Sequence, residues 1–74
     1  MTNIPDVNFI LDNQDVLKAA YPKKCVLVMG RHVVKVFNDT VEALLFRSEV
    51  LLNVEHAFAD FSGAEPNIMW NDGK

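Results

Sequence analysis

Cysteine is nearly absent: Cys25 is the one thiol in 74 residues. That excludes an internal disulfide, so a chain of this small size must rest on its apolar core or on a partner. Glycine is scarce, and Gly30 alone lies mid-chain, so no glycine-rich loop is available to cradle a phosphate. No apolar run approaches the roughly 20 residues of a membrane span. The opening Met-Thr-Asn-Ile-Pro-Asp lacks the basic and apolar regions of a signal peptide, so the expected setting is reduced and cytoplasmic. Repeats and low-complexity tracts are missing. Seven Lys and Arg against ten Asp and Glu leave a net charge of −3, which argues against nonspecific nucleic-acid binding.

Catalytic and metal-ligating patterns are equally thin. There is no His-x-x-x-His and no Cys-x-x-Cys. Read as helix, His56 and Asp60 share a stripe with Glu49 and Asn53, but no distant cluster would complete a metal shell. Cys25 and His32 fall too far apart along one hairpin for a nucleophilic pair, which needs hydrogen-bond contact. The expectation is a non-enzymatic protein with no cofactor, no metal and no catalytic residue.

What is present centres on Lys24 to Phe37, two β-branched runs folded about Gly30-Arg31. Gly30 suits the positive φ at the first position of a type II′ turn. That turn sets Met29 opposite His32, Val28 opposite Val33, Leu27 opposite Val34, Val26 opposite Lys35 and Cys25 opposite Val36. Alternation then places Cys25, Leu27, Met29, Val34 and Val36 on one side. Val26, Val28, Val33 and Phe37 take the other, with Lys24 and Lys35.

Before the hairpin, Phe9, Ile10, Val16, Leu17 and Ala20 recur at helical spacing from Pro5 and Asp6 onward. Either one helix runs to about Tyr21, or Asn13 caps a second; Pro22 ends it in both cases. Residues Met1 to Ile4 are expected to fray. After the hairpin, Asp39 with Glu42 forms a capping box. Glu42, Glu49, Asn53, His56 and Asp60 then fall on one stripe at about 100° per residue, which predicts one helix from Glu42 to Asp60, stopped by Gly63. The competing reading makes Val50 to Val54 a short buried strand. The helix would carry two apolar faces, one of Val41, Leu44, Leu45, Leu51, Leu52 and Phe58, the other of Phe46, Val50, Val54, Ala57 and Phe61. Ile68 to Trp70 reads as a third short strand or an extended arm, and Asn71 to Lys74 as loose.

The order helix, Tyr21-Pro22-Lys23-Lys24, strand, glycine turn, strand, Asn38-Asp39-Thr40-Val41-Glu42-Ala43 resembles a group of small bacterial domains of unknown function that run α-β-β-α, often with a final strand. The likeness covers Phe9 to Ala43. It implies a fold, and neither an activity nor binding residues. A longer, more apolar second helix and a Met69-Trp70 tail set this chain apart.

These features predict one α+β domain over residues 1–74: N-terminal helix, two-stranded antiparallel hairpin, long helix and a short C-terminal strand in the αββαβ variant (αββα without it), with 64–74 an extended or partly disordered tail. The function expected is a protein–protein interaction module that self-associates as a homodimer, away from membranes. Its partner-binding residues are Phe46, Val50, Val54, Phe61, Met69 and Trp70, because surplus apolar surface marks an interface. The alternatives are a small acidic inhibitor of the phage or mobile-element type and a nucleic-acid-binding accessory domain using Lys23, Lys24 and Lys35.

Overall fold

The computed structural model describes residues 4–51 and 53–73, apart from the Asp72 side chain. The expectations for Met1 to Asn3, Leu52 and Lys74 lie outside the described residues. The order is α1 (Pro5–Asp12), α2 (Gln14–Ala20), β1 (Cys25–Met29), β2 (His32–Phe37), α3 (Thr40–Val50), β3 (Glu55–Asp60) and β4 (Asn67–Asp72). It is an α+β fold whose four antiparallel strands lie in the order β2-β1-β3-β4. The N-terminal helices cover one sheet face and α3 covers the other.

The two faces follow from alternation. Val26, Val28, Ala57, Ala59 and Phe61 pack beneath Val7, Ile10 and Leu17. Cys25, Leu27, Phe37 and Phe58 pack beneath Ala43 and Leu51. Small side chains at Ala57 and Ala59 let α1 approach the sheet closely. At the N-terminal bend, Asn13 does not cap with its side chain; its Nδ2 donates to the Phe9 carbonyl at 2.8 Å, and the chain restarts as α2. Pro22 lies just past the end of α2, as its steric effect on the preceding residue requires.

The hairpin turn is type I′, not type II′: Gly30 and Arg31 both take positive φ, 61° and 63°. The type I′ twist matches that of the flanking strands. Arg31 tolerates its conformation because its backbone N–H donates to the buried Asp6 Oδ1 at 2.9 Å, tying the turn to the start of α1. The expected register holds for Met29–His32 and Val28–Val33, then shifts, so that Leu27 pairs with Lys35, Val26 with Val36 and Cys25 with Phe37. Val34 is the extra residue of the bulge. A one-residue slip exchanges faces. Phe37 therefore lies on the Cys25 side, against Phe46 and Phe58 at ring separations of 5.5 and 6.0 Å. Val36 goes to the opposite side.

A side chain added at Gly30 meets nothing within 4 Å, so a substitution there is penalised by backbone conformation alone. Gly30→Val should cost about 1–2 kcal/mol and Gly30→Asn much less, since a β-branched side chain clashes in the left-handed region that asparagine tolerates. Thermal melting of both variants checks this. Equal midpoints would mean that the turn does not hold this conformation.

The single helix from Glu42 to Asp60 is not formed. α3 ends at Val50, Leu51 caps it through its N–H to the Arg47 carbonyl at 2.9 Å, and β3 begins at Glu55. The strand is not the Val50 to Val54 segment of the competing reading either. β1 is buried along Cys25 to Val28, and the strand with the β-bulged β2 satisfies only one of its edges; β3 pairs with the other. Gly63 consequently caps no helix and lies in the β3–β4 connection. The expected tail is ordered from Asn67 to Asp72 as β4, in continuous register with β3.

Candidate interaction surface

α3 starts where the sequence indicates: Asp39 Oδ1 accepts the Glu42 N–H at 2.9 Å. Its start is also tied to the sheet, because the Thr40 hydroxyl donates to Asp60 Oδ2, and Asp60 Oδ1 accepts the Ser62 N–H at 3.0 Å. Burial pushes the Asp60 carboxyl up, but the hydrogen bonds from Thr40 and Ser62 outweigh it and hold the group below its ordinary value.

With the helix start pinned, its rotation puts Ala43 at the sheet, fully buried, and half-buries Phe46 beside Phe37. Val41, Leu44 and Leu45 then point outward, 65, 41 and 58 % exposed. Their i, i+3, i+4 spacing gathers them into one stripe about 100° wide. Ser48 continues it, with its hydroxyl turned back to the Leu45 carbonyl at 2.9 Å. Exposed Glu42 and Glu49 border the stripe on one side. The helix is thus apolar on its inner and its outer surface.

The six residues expected to bind a partner do not form one patch. Phe61 is core on the opposite face, packed in the layer of Val7 and Ile10. Phe46 is half-buried, and the Lys35 ammonium lies 5.0 Å from its ring centroid. Val50 and Val54 are exposed at the end of α3 and in the following turn. Met69 is half-buried against the α3-side core, while Trp70 faces the other side at the sheet edge. Sequence reading assigned Val41, Leu44 and Leu45 to the apolar helix face with Leu51 and Phe58. Having two comparable stripes was legible; which one faces out was not.

The chemical alternatives are separated by the fold. His56 and Asp60 share a strand face, so their four-residue spacing spans about 13 Å instead of one helical turn. His56 is fully buried, its ring edge-on to Phe58, with Nδ1 at 2.7 Å from the Val54 carbonyl oxygen and Nε2 without a partner among the described residues. Cys25 is buried at the far end of β1 from His32, and burial, then Asp60 and Asp39, push its thiol up to about 12, where it is no nucleophile. Among the described residues no three His, Cys, Asp or Glu side chains converge on a metal position, and no helix is long and apolar enough to cross a membrane. The Lys24 ammonium donates to Asn38 Oδ1 at 2.7 Å, and Lys35 covers the Phe37 and Phe46 rings.

No protein-family model, curated protein or solved structure matches the chain.

Proposed function

We propose that this chain is a non-enzymatic protein–protein interaction module that presents α3 to an apolar groove on its partner. The observation that carries the reading is the outward stripe of Val41, Leu44 and Leu45 on a helix whose inner face is already committed to the core. Anchors at i, i+3 and i+4 are the pattern by which a helix fills a groove. Exposed Glu42 and Glu49 beside the stripe favour a partner with a basic rim on that side.

Magnitude constrains the partner. Fully burying a Val or Leu side chain gains about 1.5–3 kcal/mol. Three such chains, already partly covered, have about 3–4 kcal/mol left to gain. Association costs roughly 4–15 kcal/mol. The stripe alone therefore does not hold a complex together, and the partner must add contacts around it.

The competing readings find less support. Lys24 and Lys35 are engaged within the chain, which weakens a nucleic-acid edge. The carboxylates do not gather into an acidic face: Asp6 and Asp60 are internal, Asp39 is a cap, and Glu42 and Glu49 lie across the sheet from Asp12 and Asp15.

The test is a double substitution, Leu44→Glu with Leu45→Glu, on exposed helical positions where monomer stability should change by no more than about 0.5 kcal/mol. Cross-linking in cells, quantified for both forms, should show a protein captured by the native chain and lost from the variant at unchanged melting temperature. Identical capture by the two forms would reject the α3 surface.

A further inference from the structure

We infer that two copies of this chain pair through β4, forming one continuous antiparallel sheet with its two-fold axis at Met69.

The two edges of the sheet are unequal. β2 carries the protections that keep an edge from recruiting another strand: a bulge at Val34 and the charge of Lys35. β4 carries neither. Its register with β3 is continuous, and Asn67-Ile68-Met69-Trp70-Asn71 holds no charge and no proline. Pro66, which cannot donate to a ladder, stands just outside it. The described residues give β4 a neighbouring strand on one side only.

A second copy fits this edge because the strand is complementary to itself, in a register that parity limits. A two-fold axis perpendicular to a sheet leaves each face on its own side, and antiparallel partners must point to the same face. Residue numbers that pair across the axis must therefore sum to an even number, so the axis passes through a residue. At Met69 the strand is complementary to itself. Asn67 meets Asn71 of the second copy, Ile68 meets Trp70, and Met69 meets Met69. Trp70 and Ile68 already share the face of the N-terminal helices, through their pairing with Ala57 and Ala59. Trp70, on the edge strand, is 48 % exposed there. In the pair, each Trp70 ring lies over the Ile68 of the other chain, an aromatic–β-branched cross-strand pair of the stabilising kind.

The size of the contact sets its strength. The five residues Asn67–Asn71 that pair give an edge about 17 Å long. A Trp side chain buries about 150–250 Å² when fully covered, so a half-exposed Trp70 adds roughly 100 Å² per copy. The total falls below the about 1,600 Å² of a standard interface, so the pairing belongs to the concentration-dependent, micromolar class. Because the axis preserves faces, both α3 helices lie on one side of the joined sheet, with their outer stripes facing the same way. The pairing does not depend on what α3 binds, but it would present two copies of the stripe and raise affinity for a partner with two grooves.

Single-cysteine variants read the register directly, since native Cys25 is buried. In a Cys25→Ser background, Met69→Cys should form a disulfide-linked dimer at least several-fold faster than Ile68→Cys or Trp70→Cys alone. A mixture of the last two should link to each other. Sedimentation of the native chain should show a dimer at tens to hundreds of micromolar, and Trp70→Lys should raise its dissociation constant at least tenfold without lowering the monomer's melting temperature. A chain that stays monomeric over that range, or equal cross-linking at the three positions, overturns the inference. So does a dimer insensitive to Trp70→Lys but lost with Leu44→Glu and Leu45→Glu. Persistence of the dimer in that α3 variant separates this inference from the docking role of the helix.

Discussion

Phe58→Ala should remove about 3–5 kcal/mol of stability, the largest single effect expected in this chain. Phe58 is fully buried in β3, between Leu27 of β1 and Met69 of β4, with the Phe37 ring at 6.0 Å and the His56 ring edge-on at 5.2 Å. It also lies in the layer onto which α3 packs through Ala43 and Leu51. A domain of this size has a total stability of about 4–11 kcal/mol, so truncating this ring removes much of the margin. Phe58→Leu should cost far less, because it leaves a smaller cavity. Urea denaturation of the variants gives the comparison. A loss under about 1 kcal/mol for Phe58→Ala would mean that the ring is not held between the strands. The effect should reach the proposed interaction surface, because without Phe58 the inner side of α3 loses its seat and the outward stripe loses its fixed orientation.

Asp60→Ala should cost about 2–3 kcal/mol near neutral pH, since a buried carboxylate that accepts from Thr40 and Ser62 leaves both donors without it. Its position beside the start of α3 adds a favourable interaction with the helix dipole. The pH dependence has a definite sign. Burial alone would raise the carboxyl, yet the Thr40 and Ser62 hydrogen bonds leave it lower in the folded chain than the ordinary 3.8. A group lowered on folding contributes fully above its unfolded value. That contribution is lost as the pH falls from about 4 through the folded value. Asp60→Asn keeps the shape and removes the charge, so the stability gap between it and the native chain should be wide at pH 7 and narrow toward pH 3. Denaturant midpoints across that range provide the measurement. A gap that widened on acidification would mean that the carboxyl is raised, not lowered, on folding.

Several elements were readable from the chain because short-range chemistry determines them. Gly30-Arg31 marks the hairpin, Pro22 stops the preceding helix, and Asp39 starts α3, each through the backbone of its immediate neighbours. The surplus of apolar residues on α3 was readable too, since counting them requires no partner. The expected dimer followed from that surplus, and the pairing inferred above uses a different surface. Val50 and Val54 are exposed, but Phe46 and Phe61 are turned inward.

The false continuity from α3 into β3 has a specific cause. Residues four apart share a face in a helix and also in a strand, because four is near one helical turn and is twice the strand repeat. His56 and Asp60, four apart within β3, therefore look like one helical turn and extend the stripe that Glu42 and Glu49 begin in α3. What decides the matter is β1, which is buried on both faces and needs a second hydrogen-bonded neighbour, a demand made from about 30 residues away. The bulge at Val34 was hidden for a related reason. Valine follows valine there, and nothing local distinguishes the residue that is left unpaired until Phe37 finds Phe46 and Phe58.

By itself, then, the sequence determined the position of the turn, the helix start, the helix stop at proline and the excess of apolar surface, because dihedral preferences, capping and composition act within a few residues. Only the tertiary structure decided where α3 ends, which of its two stripes faces outward and which strand is left at the edge. Those outcomes depend on pairing and packing between segments far apart in the chain, where Ala43 must fit over Cys25 and Leu27 and the burial of one stripe leaves the other to solvent.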